Sequence, residues 1–140
     1  MPASVGGTGR ARRAVFWLAI PSLLAACASL GPARQQSLQV TATAYNSLPG
    51  QTHGDPSVAA WGDRLEPGMR AIAVSRDLIA LGLDRGTRVR IEGLPGEYVV
   101  LDKMARRWTR KIDVYMGEDV AAARAWGKRS VQIHWTPPEP

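Results

Sequence analysis

The 140-residue chain contains a single cysteine and only two histidines. One cysteine excludes an intramolecular disulfide, and the chain has neither a Cys-x-x-Cys pair nor a His and Cys cluster to hold structural zinc, so packing alone must stabilise the fold. His53 and His134 stand far apart without ligand-like neighbours, which argues against a Ser-His-Asp triad or a metal hydrolase. His53 reads as a solvated loop residue and His134, beside Trp135, as part of a barrel cap. No apolar run reaches the roughly 20 residues of a membrane-spanning helix, and no repeat of fixed period is present. Acidic residues are in deficit, 12 against 18 Lys plus Arg, giving a net charge of +6. With 45% hydrophobic and 21% charged residues, the chain is neither wholly disordered nor a polytopic membrane protein, and its length suits one folded core.

Half of the positive excess lies in residues 1–26. Arg10, Arg12 and Arg13 precede an apolar run over residues 14–24, the pattern of an export signal. The run ends in Leu24-Ala25-Ala26-Cys27, which resembles the lipobox of bacterial lipoproteins. The resemblance implies cleavage before Cys27, lipid modification of its thiol and a membrane as partner. Ala28 in place of aspartate implies the outer membrane of the cell envelope, with the protein facing the periplasm. More than one acyl chain gives lasting attachment where a single chain does not. Once the three arginines are removed, the remaining charge is too small to indicate nucleic acid as a partner.

Residues 27–37 are small and polar and read as a lipidated tether, 38–136 as the folded domain and 137–140 as a Pro-rich tail. In the domain, Leu38, Val40, Ala42 and Ala44 alternate with Gln39, Thr41, Thr43 and Tyr45, the period of a half-buried strand over residues 37–45. Residues 46–63 form a long Gly- and Pro-rich loop. Residues 69–74 are a short apolar strand, followed by a helical turn with Ser75 as its N-cap. Strands over residues 87–92 and 97–101 flank Gly93-Leu94-Pro95-Gly96, a hairpin loop. A strand over residues 111–116 alternates Ile112, Val114 and Met116 against Lys111, Asp113 and Tyr115. A short helix over residues 120–126 stops at Gly127, and a last strand spans residues 130–135. Roughly six strands with one or two short helices predict a mainly β fold, a small barrel. Strand pairing is not legible in these periods.

Asp102 and Asp113 interrupt or border apolar strands, where an unpaired buried acid costs several kcal/mol, so each is exposed, paired or functional. Five cations, Lys103, Arg106, Arg107, Arg110 and Lys111, lie between or beside them and are expected to pull a neighbouring aspartate's pKa down. The loop they occupy contains no glycine, so its backbone is expected to keep negative φ.

Ala71-Ile72-Ala73-Val74-Ser75, Leu81-Gly82, Gly86-Thr87-Arg88-Val89, Ile112-Asp113-Val114-Tyr115 and Trp126-Gly127-Lys128-Arg129 together resemble the 3D domain. Thr41-Ala42-Thr43-Ala44-Tyr45 fits its opening strand, so the resemblance runs over about residues 40–135. That family includes RlpA-like lipoproteins and the C-terminal barrel of the MltA type of lytic transglycosylase. It implies a double-psi β-barrel that cleaves the link between N-acetylmuramic acid and N-acetylglucosamine in peptidoglycan without water, cofactor or metal. By position, Asp113 would be the general acid and base and Asp102 the supporting carboxylate. Thr43 and Tyr45 would face the glycan, and the family's first aspartate falls at Ser75, with Asp77 two residues on. Arg106, Arg107 and Arg110 could hold the carboxylates of peptide stems while Trp108 stacks on a sugar face. Two readings stay open, an enzyme of cell-wall turnover and a non-catalytic peptidoglycan-binding lipoprotein, either of them with room for an envelope protein partner. Replacing Cys27 by serine is expected to abolish acylation and move the protein from the membrane to the soluble fraction, as read by fractionation and intact mass.

Overall fold

The computed structural model describes residues 6–7, 34–49 and 54–139. Cys27, His53 and nearly all of the signal and tether segments lie outside them. Six strands and two short helices follow in the order β1 (Gln36–Tyr45), β2 (Ala71–Val74), α1 (Arg76–Ile79), β3 (Arg88–Ile91), β4 (Glu97–Lys103), β5 (Lys111–Tyr115), α2 (Val120–Trp126) and β6 (Arg129–Trp135). The strands close into a barrel in the order β1-β5-β2-β4-β3-β6. The β1–β5 and β2–β4 pairs are parallel, and the β2–β5 pair between them is antiparallel. The barrel has no free edge, which suits a fold without a disulfide.

Alternation along each strand sends one set of side chains inward. Val40, Ala42, Ile72, Val74, Val89, Ile91, Val100, Ile112, Val114, Val131 and Ile133 fill the interior, with Leu78, Leu83, Trp126 and Trp135 packed against them. β-Branched residues dominate because they fit a pleated, half-buried surface. Each helix contributes one buried side chain to this core, Leu78 from α1 and Trp126 from α2. Asp119 caps α2 by accepting the Ala122 N–H at 2.8 Å. At α1 the expected cap is absent: Ser75 precedes the helix but makes no side-chain cap bond, because its hydroxyl accepts the Lys111 N–H instead.

The hairpin connection is longer than the four residues expected, since β3 ends at Ile91 and the Glu92 N–H bonds to Gln132 on β6. Gly96 has φ +72, and a side chain there would collide with Arg70.

Outside the barrel wall, residues 55–65 fold on themselves through a Val58–Arg64 bridge. Their Ala59 and Leu65 pack with Ala71 and Tyr115 as a second small core, bordered by Tyr45 and Leu101. This flap covers part of the outer face of β1, β5, β2 and β4, and its border makes a cleft. Truncating Ile112, fully buried in the central strand β5, to alanine should lower stability by about 2–5 kcal/mol in denaturant unfolding.

Candidate active site

Strand register places the two aspartates. Thr43 pairs with Asp113 across β1–β5, and Ala73 pairs with Asp113 across β2–β5. On the other side of β2 the register slips between Ile72 and Ala73, so Ala73 pairs with Asp102 where an unbroken ladder would have given Leu101. A single row, Thr43, Asp113, Ala73, Asp102, thus crosses four adjacent strands. Neighbouring strands lie about 4.8 Å apart, so the two aspartate backbones stand roughly 9.5 Å apart. Ala73 between them is too small to fill the gap.

Asp113, Ala73 and Asp102 of this row floor a cavity of about 340 Å³, also lined by Asp55, Pro56 and Val58 of the flap and by residues 103–105 and Trp108. Tyr45 and Asn46 close one end. Thr43 Oγ1 donates to Asp113 Oδ1 at 2.9 Å. Asp102 Oδ1 accepts two backbone N–H groups, from Ala60 at 2.7 Å and from Lys103 at 2.8 Å. Asp102 therefore ties the flap to the barrel, whereas Asp113 keeps a single hydroxyl partner among the described residues. The Tyr45 hydroxyl is buried with no hydrogen-bond partner among the described residues.

Burial raises the pKa of Asp113 above the ordinary carboxylate value, against the lowering effects of the Thr43 bond and Lys111; the Asp102 charge adds to the rise. Burial likewise raises Asp102 against its two backbone donors. The downward pull expected from the basic segment is thus outweighed. Two of its cations are turned onto aromatic faces, Lys103 at 5.1 Å from the Trp61 ring and Lys111 at 3.7 Å from the Trp108 ring. Burial, with the negative charges of Asp102 and Asp113, also drives the Tyr45 phenol far above its ordinary value, so it stays a proton-bearing donor. Asp55 on the rim is held below the usual range by its bonds from Ser57, and remains ionised.

The other expected site residues are placed differently. Ser75 is fully buried, and its hydroxyl is taken by the Lys111 N–H at 3.0 Å, so it does not face the cleft. Asp77 accepts the Arg110 N–H at 2.9 Å. Burial raises its pKa, but hydrogen bonds from Ser75, Arg110 and nearby backbone N–H groups lower it further, leaving it below the usual value. Ser75 and Asp77 together fasten the end of the basic loop to the start of β5. The fastening is needed because Arg110 has φ +45, contrary to the negative φ expected of a glycine-free loop; such a position costs of order 1 kcal/mol or more. Arg106 and Arg107 are exposed and do not line the cavity, and Arg110 lies outside it. Trp108, 37% exposed, stands on its rim. Ala73, Ala60 and the register slip were not foreseen: they act through small size and backbone position, which leave no chemical signature in the sequence. Among the described residues no cluster of His, Cys, Asp and Glu could hold a metal ion.

Compared with known families, the chain matches no family model. No curated protein matches it either. Among solved structures it is similar to the apo crystal structure of Clavibacter michiganensis expansin, at 20% identity and a TM-score of 0.48 over 75% of this chain and 52% of that one. It is also similar to a mutant of Clavibacter michiganensis expansin in complex with cellohexaose, at 18% identity and a TM-score of 0.44 over 75% of this chain and 54% of that one. The chain spans about half the length of these proteins.

A carboxyl whose pKa is raised by folding binds its proton more tightly in the native state. Its contribution to stability is fully present below the unfolded value, near pH 4, and is lost as pH rises through the folded pKa. Asp113→Asn keeps an acceptor for Thr43 and removes the buried charge. It should therefore raise Tm by roughly 2–6 °C at pH 7, with the gain vanishing by about pH 4, in calorimetric scans of both proteins.

Proposed function

We propose that the cleft binds the glycan strand of peptidoglycan and that Asp113 cleaves it without water. The observation that carries this reading is the four-strand row itself: two carboxyls with raised pKa on one sheet face, in an open polar cleft with a tryptophan at its rim. Asp113 meets the requirements of a general acid. It is half-buried, held by one hydroxyl and set in the middle of the floor. Protonated, it gives its proton to the glycosidic oxygen as the bond from that oxygen to the muramic acid C1 breaks. The oxygen of the same sugar's C6 hydroxyl closes on C1, and the Asp113 carboxylate takes the C6 hydroxyl proton. A 1,6-anhydro ring forms, no water is consumed, and the acid returns to its protonated state. Asp102 keeps the flap in place, and its negative charge helps to hold the Asp113 proton. Tyr45 lines the cleft, with its hydroxyl buried. The lipid-anchored, outer-membrane location inferred from residues 24–27 belongs to the same reading, since it would keep the cleft beside the polymer.

Hydrolysis is the second reading, favoured by one observation. Carboxyls flanking a gap on backbones about 9.5 Å apart are compatible with the roughly 6.5–9.5 Å carboxyl separation of inverting glycosidases, which leaves room for a water.

Mass spectrometry of the soluble products from purified peptidoglycan separates the possibilities. The wild type should release 1,6-anhydro muropeptides, and Asp113→Asn should lose this activity by about 10²–10⁴-fold while staying folded, with a Tm at or above that of the wild type. Products heavier by one water, with reducing ends, would establish hydrolysis. No release by either protein, with both still pelleting with the polymer, would leave a binding lipoprotein.

A further inference from the structure

The cleft does not end at Trp108. That ring also lines an adjoining cavity of about 280 Å³, shared with Thr41, Thr109, Lys111 and Lys128. Thr41 in turn lines a third cavity, of about 260 Å³, beside Arg110 and Ser130. Trp108 thus borders the first two cavities and Thr41 the last two, so the three lie side by side.

Strand register explains the change of character along it. Thr41 pairs with Lys111 two residues before Thr43 pairs with Asp113. Side chains two apart on a strand share a face, about 7 Å apart. Lys111 therefore stands beside the acidic row on one sheet surface, and Lys128 and Arg110, from the turns before β6 and β5, extend the positive charge into the adjoining cavities. No acidic side chain lines either of the two further cavities. Among the described residues Lys111, Lys128 and Arg110 form no ion pair, in contrast to Arg64, Arg85 and Arg88. Arg110 is held by its own backbone, through the Asp77 bond, at an otherwise unfavourable φ. The acid end repels carboxylates and the basic arm attracts them, so a ligand with sugar at one end and carboxylates at the other has a single favourable orientation.

We propose that the basic arm of Lys111, Lys128 and Arg110 holds the carboxylates of the peptide stems carried by the glycan, making peptide-bearing strands the preferred substrate over stripped ones. The inference rests on the glycan reading above and names its substrate class. A stem branches from the muramic sugar whose C1 bond is broken, so its carboxylates lie within reach of Lys111, one step along the same face. Trp108, on the border of the cleft and the adjoining cavity, is placed to cover the sugar at the branch, with Lys111 stacked on its ring.

The test is a pelleting assay with intact peptidoglycan and with the same material stripped of its stems by an amidase. Wild-type protein should bind the intact polymer roughly threefold to thirtyfold more tightly, since exposed charge pairs each contribute little, and added salt should shrink the difference. Lys111→Met with Lys128→Met should bring the ratio to within about twofold of one; Lys128→Met alone, at an exposed position, should lower it without risk to the fold. Arg90→Met removes one charge from the β3 face, away from the groove, and should leave the ratio as in wild type. Equal wild-type binding to both materials, or an equal loss on Arg90→Met, would overturn the inference and leave the glycan reading intact. Failure to bind either material would overturn the glycan reading and this inference with it.

Discussion

The one-residue slip between Ile72 and Ala73 is the constraint on which the site depends. β2 is the central strand of the row, bonded to β5 on one side and β4 on the other. With an unbroken ladder, Leu101 would stand beside Ala73, and Asp102 would fall on the opposite side of the pleat. Period-two geometry makes any one-residue shift a change of face. The slip therefore decides whether the second carboxyl reaches the cleft, where its Oδ1 accepts the Ala60 N–H and holds the flap.

Burial and charge compete around Asp113, and burial wins. The segment between the aspartates is densely basic, yet its cations are spent in other ways: Lys103 and Lys111 on tryptophan faces, Arg110 at the turn into β5, Arg106 and Arg107 toward solvent. The flap and the rim remove enough water to raise both carboxyls. Holding carboxyls of raised pKa in such a cleft opposes stability at neutral pH, and the barrel core beneath must offset it. The two acids thus lie under the flap, while Lys111, Lys128 and Arg110 line the neighbouring cavities.

Ser75 and Asp77 have a different role from the one their position suggested. Family resemblance placed them near the substrate, but in the fold both are committed to backbone N–H groups at the β5 entry. A short polar side chain can bind a ligand or a nearby main chain, and sequence spacing does not distinguish these uses. Tyr45, Asp102, Asp113 and Trp108 converge on one cavity and Thr43 reaches it only through its bond to Asp113, whereas the arginines of the loop do not join them there.

By itself the sequence determined the elements: alternation in residues 37–45 and 111–116, turn residues around residues 93–96 and the Gly127 stop mark strands and helices at nearly the bounds observed. These signals are local, set by side-chain period and by backbone conformations that only certain residues adopt easily. It also marked the two aspartates, because an acid in an apolar strand is conspicuous. Only the tertiary structure decided which strands pair, which residue of β4 faces the cleft, where the flap lies and which cations reach the groove. Those outcomes depend on contacts between residues distant in the chain, such as Ala60 with Asp102 and Thr43 with Asp113. A barrel closes through such long-range ladders, and no local pattern encodes their register.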